Sequence, residues 1–167
     1  MKKHIPTLVC LMTLTITASL RAEPAHEHGI AHLQVALEGQ VVRADFDLPG
    51  MDLLGFEHAP ASAADEAAVV AVGTKMRDAA AVLALTPAAQ CRVEKVDFRA
   101  EKPEPSSVHM DFLASYSFRC VQPAELRGFK TGIFTLFPTL TELAVESQSP
   151  AGVRAQKLSS GSPDYAF

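Results

Sequence analysis

Two stretches of strict alternation, separated by two residues, constrain this chain more than anything else in it. Across 30–38, Leu33, Val35 and Leu37 fall on one face and His32, Gln34 and Glu38 on the other; from 41 onward Val42, Ala44, Phe46 and Leu48 alternate with Arg43, Asp45 and Asp47. A period of two is that of a half-buried strand. A slip of one residue would turn every side chain to the opposite face, so apolar positions must lie opposite apolar positions. A two-residue Gly39-Gln40 turn meets that condition, with Leu37 opposite Val42, Val35 opposite Ala44 and Leu33 opposite Phe46. The same register sets His32 opposite Asp47 and Gln34 opposite Asp45 on the polar face.

After Pro49-Gly50, residues 51–60 (Met-Asp-Leu-Leu-Gly-Phe-Glu-His-Ala-Pro) are too apolar for a free loop and are expected to pack on the core. Ser62 followed by Asp65 and Glu66 resembles a helix N-terminal capping arrangement. Val69, Val72, Met76, Ala79 and Leu83 then recur at intervals of three and four, predicting a long helix over about 62–85 that ends at Thr86-Pro87. Residues 90–100 and 107–121 read as a second hairpin. Met110, Phe112, Ala114, Tyr116, Phe118 and Cys120 share one face of its second strand, and the opposite parity of Cys91 and Val93 to Val96 and Phe98 predicts a bulge near Glu94-Lys95 or a strand that twists out of the core. A short helical turn at 123–126, an apolar stretch from Phe129 to Phe137, two short strands at about 141–148 and 152–158, and a polar tail complete the chain. Nearly all strand connections are hairpin-short, so the expected class is α+β: a single domain, mainly antiparallel β-sheet, with one long helix packed on it.

The N-terminus reads differently. Met1-Lys2-Lys3-His4 is basic, Ile5–Leu20 is largely apolar, and Ala22 supplies the small residue needed before a cleavage point, which is the pattern of a signal peptide spanning 1–22; a cut near Ala18 is the alternative. Removing 1–22 takes Lys2, Lys3, Arg21, His4 and Cys10 from the 167-residue chain. The remaining 145 residues, 23–167, form the expected single domain, and its 12 basic residues against 19 acids give a formal charge of −7. That charge disfavours a nucleic-acid partner, and no later apolar segment is long enough for a membrane span. Two cysteines remain, Cys91 and Cys120. In an oxidising compartment an even pair is expected to form a structural disulfide; metal ligation or a redox pair is the rival reading, although the spacing is not that of Cys-x-x-Cys.

Chemistry resides in the histidines. His26, His28 and His32 crowd the mature N-terminus, Glu57 stands beside His58, and His109 and Asp111 alternate on one strand face. Imidazole is a common zinc ligand and a neighbouring carboxylate favours a divalent cation, so a His-x-His segment can swing onto an ion held by a third ligand such as His32 opposite Asp47. Each group has a plainer reading. A His-x-His near a terminus is equally solvated polar sequence, His58 between Phe56 and Pro60 can instead pin its connection by a hydrogen bond, and His109 with Asp111 can be a solvated strand face. The chain has no nucleophile elbow, phosphate-cradling glycine loop or dinucleotide fingerprint, so an enzyme is not expected.

The segments 26–37 (His-Glu-His-Gly-Ile-Ala-His-Leu-Gln-Val-Ala-Leu) and 53–60 (Leu-Leu-Gly-Phe-Glu-His-Ala-Pro), with Cys91, Val-His-Met-Asp-Phe around His109 and Phe-Arg-Cys at 118–120, closely resemble the ZrgA-like family of small periplasmic proteins of Gram-negative bacteria. The resemblance covers most of the mature chain. It implies a non-enzymatic zinc-binding accessory protein working beside a zinc ATP-binding-cassette importer. Many members carry a His- and acid-rich insertion before the strand that holds the equivalent of His109; here that place has only 101–107, without a histidine. The candidate ligands are therefore His26, His28, His32, Asp47, Glu57, His58, His109 and Asp111. A metal-independent periplasmic interaction domain is the alternative function, and a metal-dependent hydrolase a third.

Overall fold

The computed structural model describes residues 28–101 and 110–167. The expected signal peptide, His26, His109 and the tip of the second hairpin lie outside the described residues. Strands β1 (Ile30–Glu38) and β2 (Val41–Pro49) form the predicted hairpin in the predicted register, Leu33 opposite Phe46 and His32 opposite Asp47. The chain then makes a five-residue helix α1 (Gly50–Leu54), which ends where Gly55 takes φ +81° and presses Leu53, Leu54 and Phe56 onto the core. Helix α2 (Ala63–Arg77) starts at a complete capping box: the Ser62 hydroxyl accepts from the Asp65 amide and the Asp65 carboxylate accepts from the Ser62 amide.

The helix is shorter than predicted. At Asp78 the backbone leaves helical geometry (φ −80°, ψ 80°), and the Asp78 side chain accepts from the Ala81 amide to cap a separate turn, α3 (Ala79–Val82). The next three residues are a strand, β3 (Leu83–Leu85). Alanine-rich sequence fits a helix, but pairing with a distant strand, which buries Leu83, outweighs that local preference.

Strands β4 (Cys91–Glu101) and β5 (Asp111–Cys120) form the second hairpin, and of the two expected alternatives the bulge is present, between Val93 and Lys95. Cys91 and Cys120 lie opposite one another in that register and are joined by a disulfide. After a 3₁₀ turn at Pro123–Glu125 come β6 (Gly128–Thr131), the short helix α4 (Ile133–Leu136), β7 (Glu142–Ser149), β8 (Gly152–Leu158) and β9 (Asp164–Ala166). The large sheet runs β4-β5-β2-β1-β7-β8 and the small one β3-β6-β9. Two features depart from the expected hairpin arrangement. Strand β7 lies parallel to β1, and the polar tail supplies β9.

One face of the large sheet is the core: Leu33, Val35, Ala44, Phe46, Leu48, Phe112, Ala114, Leu143 and Val145 are all buried. Helix α2 packs there through Val72, Gly73 and Met76, and the Tyr116 hydroxyl donates to the Met76 carbonyl at 2.6 Å. Burial raises the Tyr116 pKa, so this donor stays protonated. The opposite face is open, exposing His32, Gln34, Arg43 and Asp45. No helix among the described residues is long and apolar enough to cross a membrane.

Candidate functional site

The candidate ligands that are described gather toward the end of the large sheet where β1 begins and β2 ends. Gly29, with φ +83°, turns the chain into β1 and leaves His28 just outside the sheet. Its Nε2 lies 3.2 Å from Oε1 of Glu57, which follows α1 by three residues; the His28 side chain is 63% exposed and that of Glu57 21%. Glu57 thus lies against one ring nitrogen of His28, and Nδ1 is the ring nitrogen turned away from that contact. A carboxylate that holds one ring nitrogen of a histidine and so presents the other is a recurring arrangement at metal ligands.

His58, one residue further, is turned elsewhere. Its Nδ1 donates to the Ala59 carbonyl at 2.9 Å and its ring stacks on Phe56 at 4.7 Å between centroids, so it pins the connection as its plainer reading described. Asp65 lies close enough for the His58 charge to contribute, as the weakest of several causes, to a lowered Asp65 pKa. The main cause is the Ala61 amide, which donates to the carboxylate at 2.9 Å, followed by Ser62.

On the open face, register puts exposed His32 opposite half-buried Asp47, and Asp47 opposite Leu113 of β5. Asp111 begins β5 between Pro49 and Glu101. His32, Asp47 and Asp111 thus occupy neighbouring positions on three adjacent strands. Among the described residues, no three histidine, cysteine or acidic side chains gather closely enough to hold one ion. The structure therefore brings the candidates together as pairs, His28 with Glu57 and His32 with Asp47. Sequence reasoning passed over Asp52, whose buried carboxylate accepts from the Gly29 amide at 2.7 Å. Its one signal was an acid inside the apolar run 51–56.

The fold and these groups define a small disulfide-linked α+β domain with imidazole–carboxylate pairs at one end of an open sheet. The model of the ZrgA family zinc uptake protein matches residues 25–167, and the chain belongs to that family. Its role is in zinc uptake. A search of the curated proteins finds no match to the chain.

Proposed function

We propose that the protein is an exported, non-enzymatic zinc-binding accessory protein of the periplasm, which buffers zinc or delivers it to an uptake system such as a zinc ATP-binding-cassette importer. The observation that carries this reading is the His28–Glu57 pair in a member of a zinc uptake family. Glu57 lies against one nitrogen of the His28 ring, and a neutral imidazole in that place has its other nitrogen to offer to zinc. His26, two residues earlier in the chain, is a further nitrogen donor for the same ion. His32 with Asp47 offers a second, weaker position on the open face.

Buffering and delivery call for a site that exchanges its metal. A structural zinc site closes four protein ligands around the ion, whereas a site with fewer protein ligands keeps positions open for water or for an acceptor's donors. An exposed imidazole backed by a carboxylate belongs to the second kind. The Cys91–Cys120 disulfide supports the export in this reading, because an oxidising compartment maintains such a bond.

Zinc titration of the chain lacking residues 1–22, read by competition with a chromophoric chelator, tests the proposal. Expected is binding at micromolar concentration or tighter that weakens on acidification, because protons compete for imidazole nitrogen. No binding tighter than millimolar overturns it. The absence of a three-donor group among the described residues favours the alternative, a metal-independent interaction domain; capture of an importer component that chelator leaves unchanged would establish it.

A further inference from the structure

We infer that Asp52 is a positioning residue which, by gripping the Gly29 peptide, holds the His28 ring at Glu57. The inference deepens the proposed function and rests on His28 being a zinc ligand.

Four hydrogen bonds converge on Gly29. Its amide donates to Oδ2 of Asp52 at 2.7 Å, and its carbonyl accepts from the amides of Thr141 at 2.9 Å and Glu142 at 3.0 Å and from the Thr141 hydroxyl at 3.1 Å. Gly29 precedes β1, whose register is already set from Ile30 onward by β7 and from His32 onward by β2. The clamp is therefore not needed to place the strand; it acts on the residue that decides in which direction His28 leaves it. A buried carboxylate is a costly acceptor for one amide, because its charge loses hydration, and Asp52 is only 8% exposed.

The geometry shows what that cost secures. Asp52 and Glu57 belong to one short segment, α1 and its exit, so a single piece of chain holds the residue 29 backbone at one point and the residue 28 ring at another. The segment is itself fixed, since the Thr139 hydroxyl donates to the Asp52 carbonyl. Glycine is required at 29: φ is +83°, and a Cβ there would lie 2.9 Å from Oγ1 of Thr141. A displacement of this peptide passes directly to His28, the preceding residue.

Asp52→Asn keeps an oxygen that can accept the Gly29 amide hydrogen, whereas Asp52→Ala removes it. In the metal-free protein, Asp52→Ala should speed hydrogen exchange at Gly29 and abolish the nuclear Overhauser contact between the His28 ring and Glu57, while Leu33 and Val35 stay protected. Zinc affinity should fall about tenfold or more, the loss usual for an outer-shell partner, and Asp52→Asn should restore all three. Should Asp52→Ala fail to fold, Thr141→Val, which removes one of the four bonds, must weaken the same contact in the same direction. An unchanged His28–Glu57 contact in the variant that folds, or an Asp52→Asn variant as impaired as Asp52→Ala, overturns the inference. If the unsubstituted protein binds no zinc, the proposed function fails, and the contact and exchange measurements still decide the clamp.

Discussion

Replacing Cys91 and Cys120 by serine should cost substantial stability and leave zinc binding in place. The cysteines are directly opposed across β4 and β5 and lie 29 residues apart in sequence. Opening a loop of that length returns conformational entropy to the unfolded chain worth about 3.5 kcal/mol at room temperature. Strand β4 is at the edge of the sheet, with β5 as its neighbour, so no second strand compensates. The disulfide is at the Gly39-Gln40 end, where the Cys120 amide donates to the Gln40 carbonyl. From Val41, in the next row, β2 runs six residues to Asp47, about 20 Å at strand rise, and the His28–Glu57 pair lies toward that far end. Urea unfolding of the oxidised protein and of the double variant should differ by about 3.5 kcal/mol, and zinc titration of both below the transition should give the same affinity. A difference under about 1 kcal/mol would show that the unfolded chain is restricted by something other than the cross-link. Zinc affinity that collapses in the double variant while it remains folded would refute the separation of disulfide from metal site and revive the thiols as ligands.

Ser62→Ala removes the cap of α2 and should cost about 1 kcal/mol in thermal unfolding. Asp65 accepts from the Ala61 and Ser62 amides, which holds its carboxyl below the usual carboxylate range. The folded protein therefore binds that proton less readily than the unfolded chain, and the stabilisation is complete above the carboxylate range and lost as pH falls through it. The stability gap between the unsubstituted protein and Asp65→Ala should accordingly close on acidification, and a gap that widens would contradict the assignment. Tyr165→Phe removes the hydroxyl that meets buried Ser147 at 2.6 Å and joins the C-terminal strand to β7. The loss should be about 2 kcal/mol, and adding Ser147→Ala should recover part of it in a double-mutant cycle.

How far the sequence could be read depended on the range of the interactions involved. The β1–β2 register was legible because two clean alternations flank a two-residue turn, leaving one arrangement that keeps apolar residues together. The β4 bulge was legible from a parity conflict between Val93 and Val96. Leu83 was assigned to the helix because its spacing from Ala79 fits a helical face; the strand it forms depends on Thr131, 48 positions away. The parallel β1–β7 pairing and the three-residue β9 likewise rest on distant partners and carry no local period. At the site, His28, Glu57, His32 and Asp47 stood out by residue type, and only His32 with Asp47 followed from register. The meeting of His28 with Glu57 depends on how α1 folds back. Asp52 was passed over because an acid in an apolar run has no motif; its buried hydrogen bond to Gly29 exists only in the folded chain.

The central claim is that this domain binds zinc through the His28–Glu57 pair. Zinc titration of the chain lacking residues 1–22 beside its His28→Ala variant, each against a competing chelator, tests it most directly. The account predicts micromolar or tighter binding in the first and a marked loss of the tightest site in the second, with both proteins melting alike. Equal affinities would remove His28 from the ligand set, and no binding tighter than millimolar in either would contradict the claim itself.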